Sequence, residues 1–321
     1  MFNMGRLARF SSHPAHTTQN TETVMTYPII LCFNAHDPTG GAGVVADALT
    51  CASLETSAFT VTTALLTGDF SQLDAVCPLD ADWIDDQART LLEDSVIQAI
   101  KIGVLPDINM VRVIAEIISD YPQVPVILAP SILVADDDEE NDAEEIVRAM
   151  LEMIVPNTHL LIVQKPMLAQ LAEVRHDFTS VAAHQPHALV AAHAQALLGM
   201  GCEYILVTDA TAPDTQVVHQ LFHDEGLLRT DSTARLADSF LGANSTLSAA
   251  ITALIAHGQA TPQAVGEGLE YTWQTLKHGI SMGMGKKIPD RFFWTRTGDE
   301  VDAQPNASGL QRPNPSPSTL Q

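Results

Sequence analysis

Asp37-Pro38-Thr39-Gly40-Gly41-Ala42-Gly43 places a carboxylate, a hydroxyl and a glycine-rich backbone in one short turn. Such a turn lets a ligand approach backbone N–H groups that a Cβ would screen. The apolar run Ile29-Ile30-Leu31-Cys32-Phe33 before it reads as a strand covered on both faces, and a helix begins around Ala42. Thr39 is placed to cap that helix, whose first N–H groups and dipole favour a polar or anionic group. Glycines also let a strand and a helix pack closely, so ligand approach and plain packing both stay open at this point. The spacing is neither G-x-G-x-x-G nor G-x-x-x-x-G-K-[ST], so it indicates neither a dinucleotide turn nor a Walker-type loop.

The other chemistry-bearing residues point to less. Cys32, Cys51, Cys77 and Cys202 lie in or beside apolar segments without C-x-x-C spacing, which predicts buried free thiols in a reducing, cytoplasmic compartment. His184, His187 and His193 have no acidic neighbour in sequence, and Pro186 breaks their helical register, so no metal site is expected. The run Asp136 to Glu145 holds part of the acidic excess and, weighed against a cation site, reads as a solvated loop with acids at the N-terminus of a helix over 142–154.

These residues must be positioned by alternating elements. Strands are predicted at about 29–34, 58–65, 97–103, 124–129, 159–164 and 203–208. Helices are predicted at about 42–54, 80–93, 107–120, 142–154, 187–199, 245–257 and 262–278. Alternation of this kind builds a mostly parallel sheet with helices on both faces, and ligands then bind at the C-terminal strand ends, where the Asp37 turn falls. Residues 215–230 read as an antiparallel hairpin at the sheet edge.

The 321 residues, 46% of them hydrophobic, suffice for one large α/β domain. A formal charge of −23 argues against nucleic acid as a partner, since phosphate backbones are held by basic surfaces. No apolar run reaches the roughly 18 residues of a membrane span. The segments 1–26 and 296–321 read as a disordered leader and a disordered Pro/Ser/Asn-rich tail around a domain over 27–295, with Met1 and Met25 both open as the start.

The turn, followed by Asp47, resembles the start of the hydroxymethylpyrimidine/phosphomethylpyrimidine kinases of the ribokinase-like superfamily. Thr62-Thr63-Ala64-Leu65, Lys101-Ile102-Gly103-Val104-Leu105, Thr246-Leu247-Ser248-Ala249-Ala250 and Gly268-Leu269-Glu270-Tyr271-Thr272-Trp273 extend the resemblance in order along the chain. It implies an α/β fold, a ribokinase-like three-layer αβα sandwich with a mostly parallel central sheet and an edge hairpin. It implies phosphorylation of 4-amino-5-hydroxymethyl-2-methylpyrimidine and its monophosphate, in thiamine diphosphate synthesis, with ATP and Mg2+, and it implies a homodimer. By the same resemblance Asp37, Gly41, Ala42, Gly43 and Asp47 face the substrate. Gly242, Ala243 and Asn244 form an anion hole, and Ser245 stands beside the attacking hydroxyl. Lys101 and Lys165 are assigned to the nucleotide, although a strand-end lysine such as Lys101 can equally snorkel to solvent.

The chain also departs from the pattern. Ser245 replaces the family cysteine, and Asn244 replaces a glycine, a position whose left-handed backbone asparagine tolerates. Ala129 replaces an aspartate, Lys165 an asparagine and Leu168 a glutamate, and leucine cannot help hold magnesium. Asp209-Ala210-Thr211 replaces Gly-Gly-His, and Gly68 replaces the glutamine that reads the pyrimidine. A catalytically degenerate relative that binds or regulates is therefore the second reading, and Asn244-Ser245 as simple helix capping belongs to it.

Overall fold

The computed structural model describes residues 27–133, 139–174, 186–209 and 215–295. The leader over 1–26, the tail over 296–321, the acids at 136–138 and His184 lie outside them.

Among the described residues nine strands form one sheet in the order β3-β2-β1-β4-β5-β6-β7-β8-β9. They are β1 Ile29–His36, β2 Ser57–Gly68, β3 Leu73–Pro78, β4 Ala99–Leu105, β5 Val126–Ile132, β6 Leu160–Gln164, β7 Tyr204–Thr208, β8 Gln216–His223 and β9 Gly226–Ala234. The six from β2 to β7 run parallel, while β3 at one edge and the β8–β9 hairpin at the other run antiparallel.

The helices are α1 Gly43–Ser53, α2 Ala81–Asp94, α3 Ile108–Asp120, α4 Glu139–Met153, α5 Lys165–Val174, α6 Pro186–Leu198, α7 Ala243–Ala256 and α8 Thr261–Lys277. Alternate strand residues feed opposite layers. Leu31 and Phe33 pack with α2 to α6, through Ile84, Ile114, Val147, Leu171 and Leu197, whereas Ile30 and Cys32 pack with α1, α7 and α8 through Cys51, Leu247 and Leu269. The three-layer α/β architecture is the one the alternating pattern requires.

Two elements escape the sequence. β3 has mostly exposed side chains, so no buried alternation marks it. α5 opens with Lys165-Pro166, a proline in the first turn where its missing N–H costs nothing. α4 starts at Glu139, inside the acidic run expected to be loop. Cys77, expected to be buried, is exposed on β3, a strand with no buried side chain on either face; Cys32, Cys51 and Cys202 are buried. No helix among the described residues is long and apolar enough to cross a membrane.

Candidate active site

The chain passes from β1 to β2 on one side and later to β4 on the other, so β1 marks the switch point at which α/β sheets open a crevice. A cavity of about 590 Å³ lies there, at the C-terminal ends of β1, β2, β4, β5 and β6. Asp37, Pro38, Ala42 and Gly43 line one wall and Gly242, Ala243, Asn244 and Ser245 the opposite one.

The first wall is held by Asp37. Its Oδ1 accepts from the Thr39 N–H at 2.9 Å and the Thr39 hydroxyl at 2.8 Å, and its Oδ2 accepts from the Ala42 N–H at 2.9 Å. Thr39 therefore does not cap α1. Its Oγ1 accepts from the Gly41 N–H at 3.1 Å, and the N-cap position is Ala42, which has no side-chain cap. The longer reach of a buried carboxylate satisfies the N–H that the hydroxyl cannot. Gly43 sits at φ 65°, and a Cβ there would stand 2.1 Å from the Ala35 carbonyl oxygen. The turn thus packs against β1 and also lines the cavity.

Beneath it, Asp47 Oδ2 accepts from Lys101 Nζ at 2.9 Å and from Asn34 Nδ2 at 2.8 Å. Lys101 lies within β4 and is 1% exposed, so it does not snorkel; its charge is matched by Asp47, fully buried and behind the cavity wall. A buried pair of this kind depends on both partners, since removing either strands a charge. Asn34 Oδ1 also accepts from the Ala35 and Val104 N–H groups, which ties β1 to β4. No sequence pattern singled out Asn34, because an asparagine inside an apolar strand gives no spacing signal.

The second wall is a helix N-terminus. Gly242 adopts a left-handed backbone, φ 82°, and α7 begins at Ala243. The left-handed residue is therefore Gly242 and not Asn244, whose tolerance of that conformation is unused. The first helical N–H bond runs from Thr246 to the Gly242 carbonyl at 2.9 Å. The N–H groups of Ala243, Asn244 and Ser245 precede it and have no intrahelical acceptor, which is the geometry that binds anions.

The two walls touch. A Cβ on Gly242 would lie 1.8 Å from the Gly41 carbonyl oxygen. Arg291 joins them: its Nη2 donates to that carbonyl at 2.7 Å and its Nε to Thr246 Oγ1 at 3.2 Å. Burial pushes the Arg291 pKa down, against the opposing influence of Tyr271, Asp47 and Asp37. Arg291 follows the last helix in sequence, where nothing marks it.

The remaining expected residues are placed as follows. Gly41 gives its carbonyl to Arg291 and does not line the cavity. Lys165 is the first residue of α5, half-buried and off the cavity wall, which takes Gln164 and Met167 instead. Leu168 is fully buried in the core. Asp209 is exposed, and its Oδ1 accepts from Arg235 Nη2 at 3.0 Å. Gly68 lines the cavity, and a side chain there would meet the Gln72 carbonyl oxygen at 2.6 Å.

Asp37 and Asp69 are the only carboxylates lining the cavity among the described residues, and both belong to the side away from Gln164. Among the described residues, the opposite side of the cavity carries Ser131, Gln164, Asn244, Ser245 and Ser248. These neutral groups do not fit a magnesium ion held by the protein, which is usually bound through one or two carboxylates.

The phosphomethylpyrimidine kinase family profile matches residues 37–290. The hydroxymethylpyrimidine/phosphomethylpyrimidine kinase of Salmonella typhimurium is 26% identical over 252 residues, covering 78% of this chain and 92% of the relative. Among solved structures, the pyridoxal kinase of Staphylococcus aureus in complex with ADP superimposes with a TM-score of 0.71 at 20% identity, over 84% of this chain and 96% of that one. The phosphomethylpyrimidine kinase of Clostridium difficile 630 superimposes with a TM-score of 0.61 at 20% identity, over 77% and 98%.

Proposed function

This chain belongs to the phosphomethylpyrimidine kinase family, and on that footing we propose that it transfers the γ-phosphoryl of ATP to the hydroxymethyl group of 4-amino-5-hydroxymethyl-2-methylpyrimidine and then to its monophosphate. The observation that carries this reading is the meeting of the two glycine turns across one cavity, with the Asp37 turn facing the free N–H groups of Ala243, Asn244 and Ser245. The volume of about 590 Å³ suits a pyrimidine and the phosphates of a nucleotide.

In this reading the substrate oxygen bonds to the γ-phosphorus as the bond from that phosphorus to the bridging oxygen breaks, which releases ADP. The α7 N–H groups hold the charge that gathers on the phosphoryl oxygens. Ser245 Oγ orients the attacking hydroxyl, and the proton leaves late, because the transition state is loose. A serine takes up no proton near pH 7, so general-base help worth on the order of 10² to 10⁴ in rate is missing. Magnesium bound to the nucleotide itself would neutralise its phosphates, and no side chain beside Gln164 is assigned to hold it.

The neutral lining beside Gln164, with Ala129 and Ser245, favours a second reading: a relative that binds the small molecule and turns over little or nothing. Titration calorimetry with the pyrimidine and with Mg-ATP, followed by phosphorus NMR of the mixture, separates the two. Formation of ADP and the pyrimidine monophosphate is expected. Binding of the pyrimidine without Mg-ATP binding refutes the kinase reading and leaves the second one.

A further inference from the structure

We infer that Lys286 reads a phosphoryl group at the mouth of the cavity, an inference that rests on the small-molecule kinase reading and extends it to a residue outside the expected set. Lys286 lines the cavity and is exposed, and among the described residues its Nζ has neither an ion-pair partner nor a hydrogen bond. Its neighbour behaves differently, since Lys287 Nζ pairs with Asp238 at 2.8 Å. The other lysine on the cavity wall, Lys101, is already matched by Asp47. Lys286 is thus the uncommitted cation of the cavity among the described residues, in a chain of formal charge −23 whose general field repels anions.

Its position is built. Ile280 and Ile288 exchange N–H···O bonds at 2.9 and 3.0 Å, closing a loop over the residues between them. The Lys286 N–H donates to the Phe70 carbonyl at 2.8 Å, which attaches that loop to the β2–β3 turn. Gly283 and Gly285 allow the contact, because Cβ atoms there would meet the Phe70 ring at 2.7 Å and its carbonyl carbon and oxygen at 2.5 Å. On the other side the Leu241 N–H donates to the Lys287 carbonyl at 2.8 Å, immediately before Gly242. Lys286 is therefore held one residue from the strap that fixes the start of α7. Asp69, the acid of the adjoining turn, accepts from the Ser71 and Gln72 N–H groups on its Oδ1, and these bonds lower its pKa. It stays anionic and lies beyond ion-pair distance of Lys286, leaving that charge for a ligand.

A phosphoryl group at this place could come from the pyrimidine monophosphate or from the nucleotide, and the test separates them. Wild type, Lys286→Met and Lys286→Arg are titrated with hydroxymethylpyrimidine, its monophosphate and a non-hydrolysable ATP analogue. Methionine keeps the apolar stem of an exposed side chain, and an unchanged thermal midpoint shows that the fold is kept. Lys286→Met is expected to weaken a phosphate-bearing ligand on the order of tenfold or more, the loss of one charge-assisted hydrogen bond, and to leave the unphosphorylated pyrimidine unchanged. Lys286→Arg restores most of that affinity. Weakening of the monophosphate alone assigns the group to the substrate, and weakening of the analogue alone assigns it to the nucleotide. Unchanged affinities, or equal weakening of all three ligands, overturn the inference. If wild type binds the analogue but neither pyrimidine, the pyrimidine reading fails alone and the analogue still tests Lys286. If wild type binds none of the three, both fall.

Discussion

Replacing Arg291 by methionine removes the joint between the two glycine turns. Arg291 is 3% exposed and donates to the Gly41 carbonyl at 2.7 Å and to Thr246 Oγ1 at 3.2 Å. Thr246 Oγ1 in turn donates to the Gly242 carbonyl at 2.9 Å, so one chain of bonds runs from Gly41 to Gly242. Each bond to a charged donor is worth about 1.5–3 kcal/mol, and the buried Gly41 carbonyl would be left without its partner. Methionine returns part of this, because it fills the space of the stem and no longer confines a guanidinium away from water. The net expectation is a loss of about 2–4 kcal/mol. It is read in urea as a lower midpoint at unchanged slope. If the variant turns over, kcat/KM falls by more than about tenfold, since sub-ångström misplacement of reacting groups is costly. A loss below about 0.5 kcal/mol would refute the reasoning, because that is the scale of a surface change away from any buried network.

Gly242→Ala forces a Cβ to within 1.8 Å of the Gly41 carbonyl and keeps a left-handed φ, so a loss of at least about 2 kcal/mol in the same urea assay is expected. Asp47→Asn leaves the Lys101 ammonium buried and unmatched, at a cost of about 3–5 kcal/mol, and the double variant with Lys101→Met recovers part of it; additive losses would show that the pair is not coupled. Ser245→Cys raises kcat on the order of 10², whereas Ser245→Ala changes it less than about threefold; the opposite order would give the serine a larger role than orientation. Burial pushes the Cys202 thiol up from 9.0 to about 12 and the Tyr271 hydroxyl from 10.0 to about 12. Between pH 9 and 12 the unfolded chain therefore binds fewer protons than the folded one, and stability falls as pH rises through that window; Cys202→Ala flattens the fall in urea titrations.

The Asp37 turn, the alternation of strands and helices and the edge hairpin were legible because each is a local pattern: glycines at a strand end, apolar runs, a turn between short strands. β3 and α5 were not, since an exposed edge strand has no alternation and a lysine-proline start looks like loop. Lys101 illustrates the limit for the site. The family resemblance assigned it to the nucleotide and its place along the chain left a solvated head as the alternative, yet β4 continues past it and α1 brings Asp47 to its Nζ.

The sequence by itself determined the alternation of strands and helices and the glycine-rich turn at Asp37, because hydrophobic period and turn chemistry act over a few residues, while the second turn at Gly242 came from the family resemblance. Only the tertiary structure decided that these turns touch, that Arg291 from beyond α8 joins them, and that Lys286 faces the cavity while Lys287 is spent on Asp238. Gly41 and Arg291 meet 250 residues apart in the chain. A contact of that kind is set by how three layers close on one another, and no spacing along the sequence encodes it.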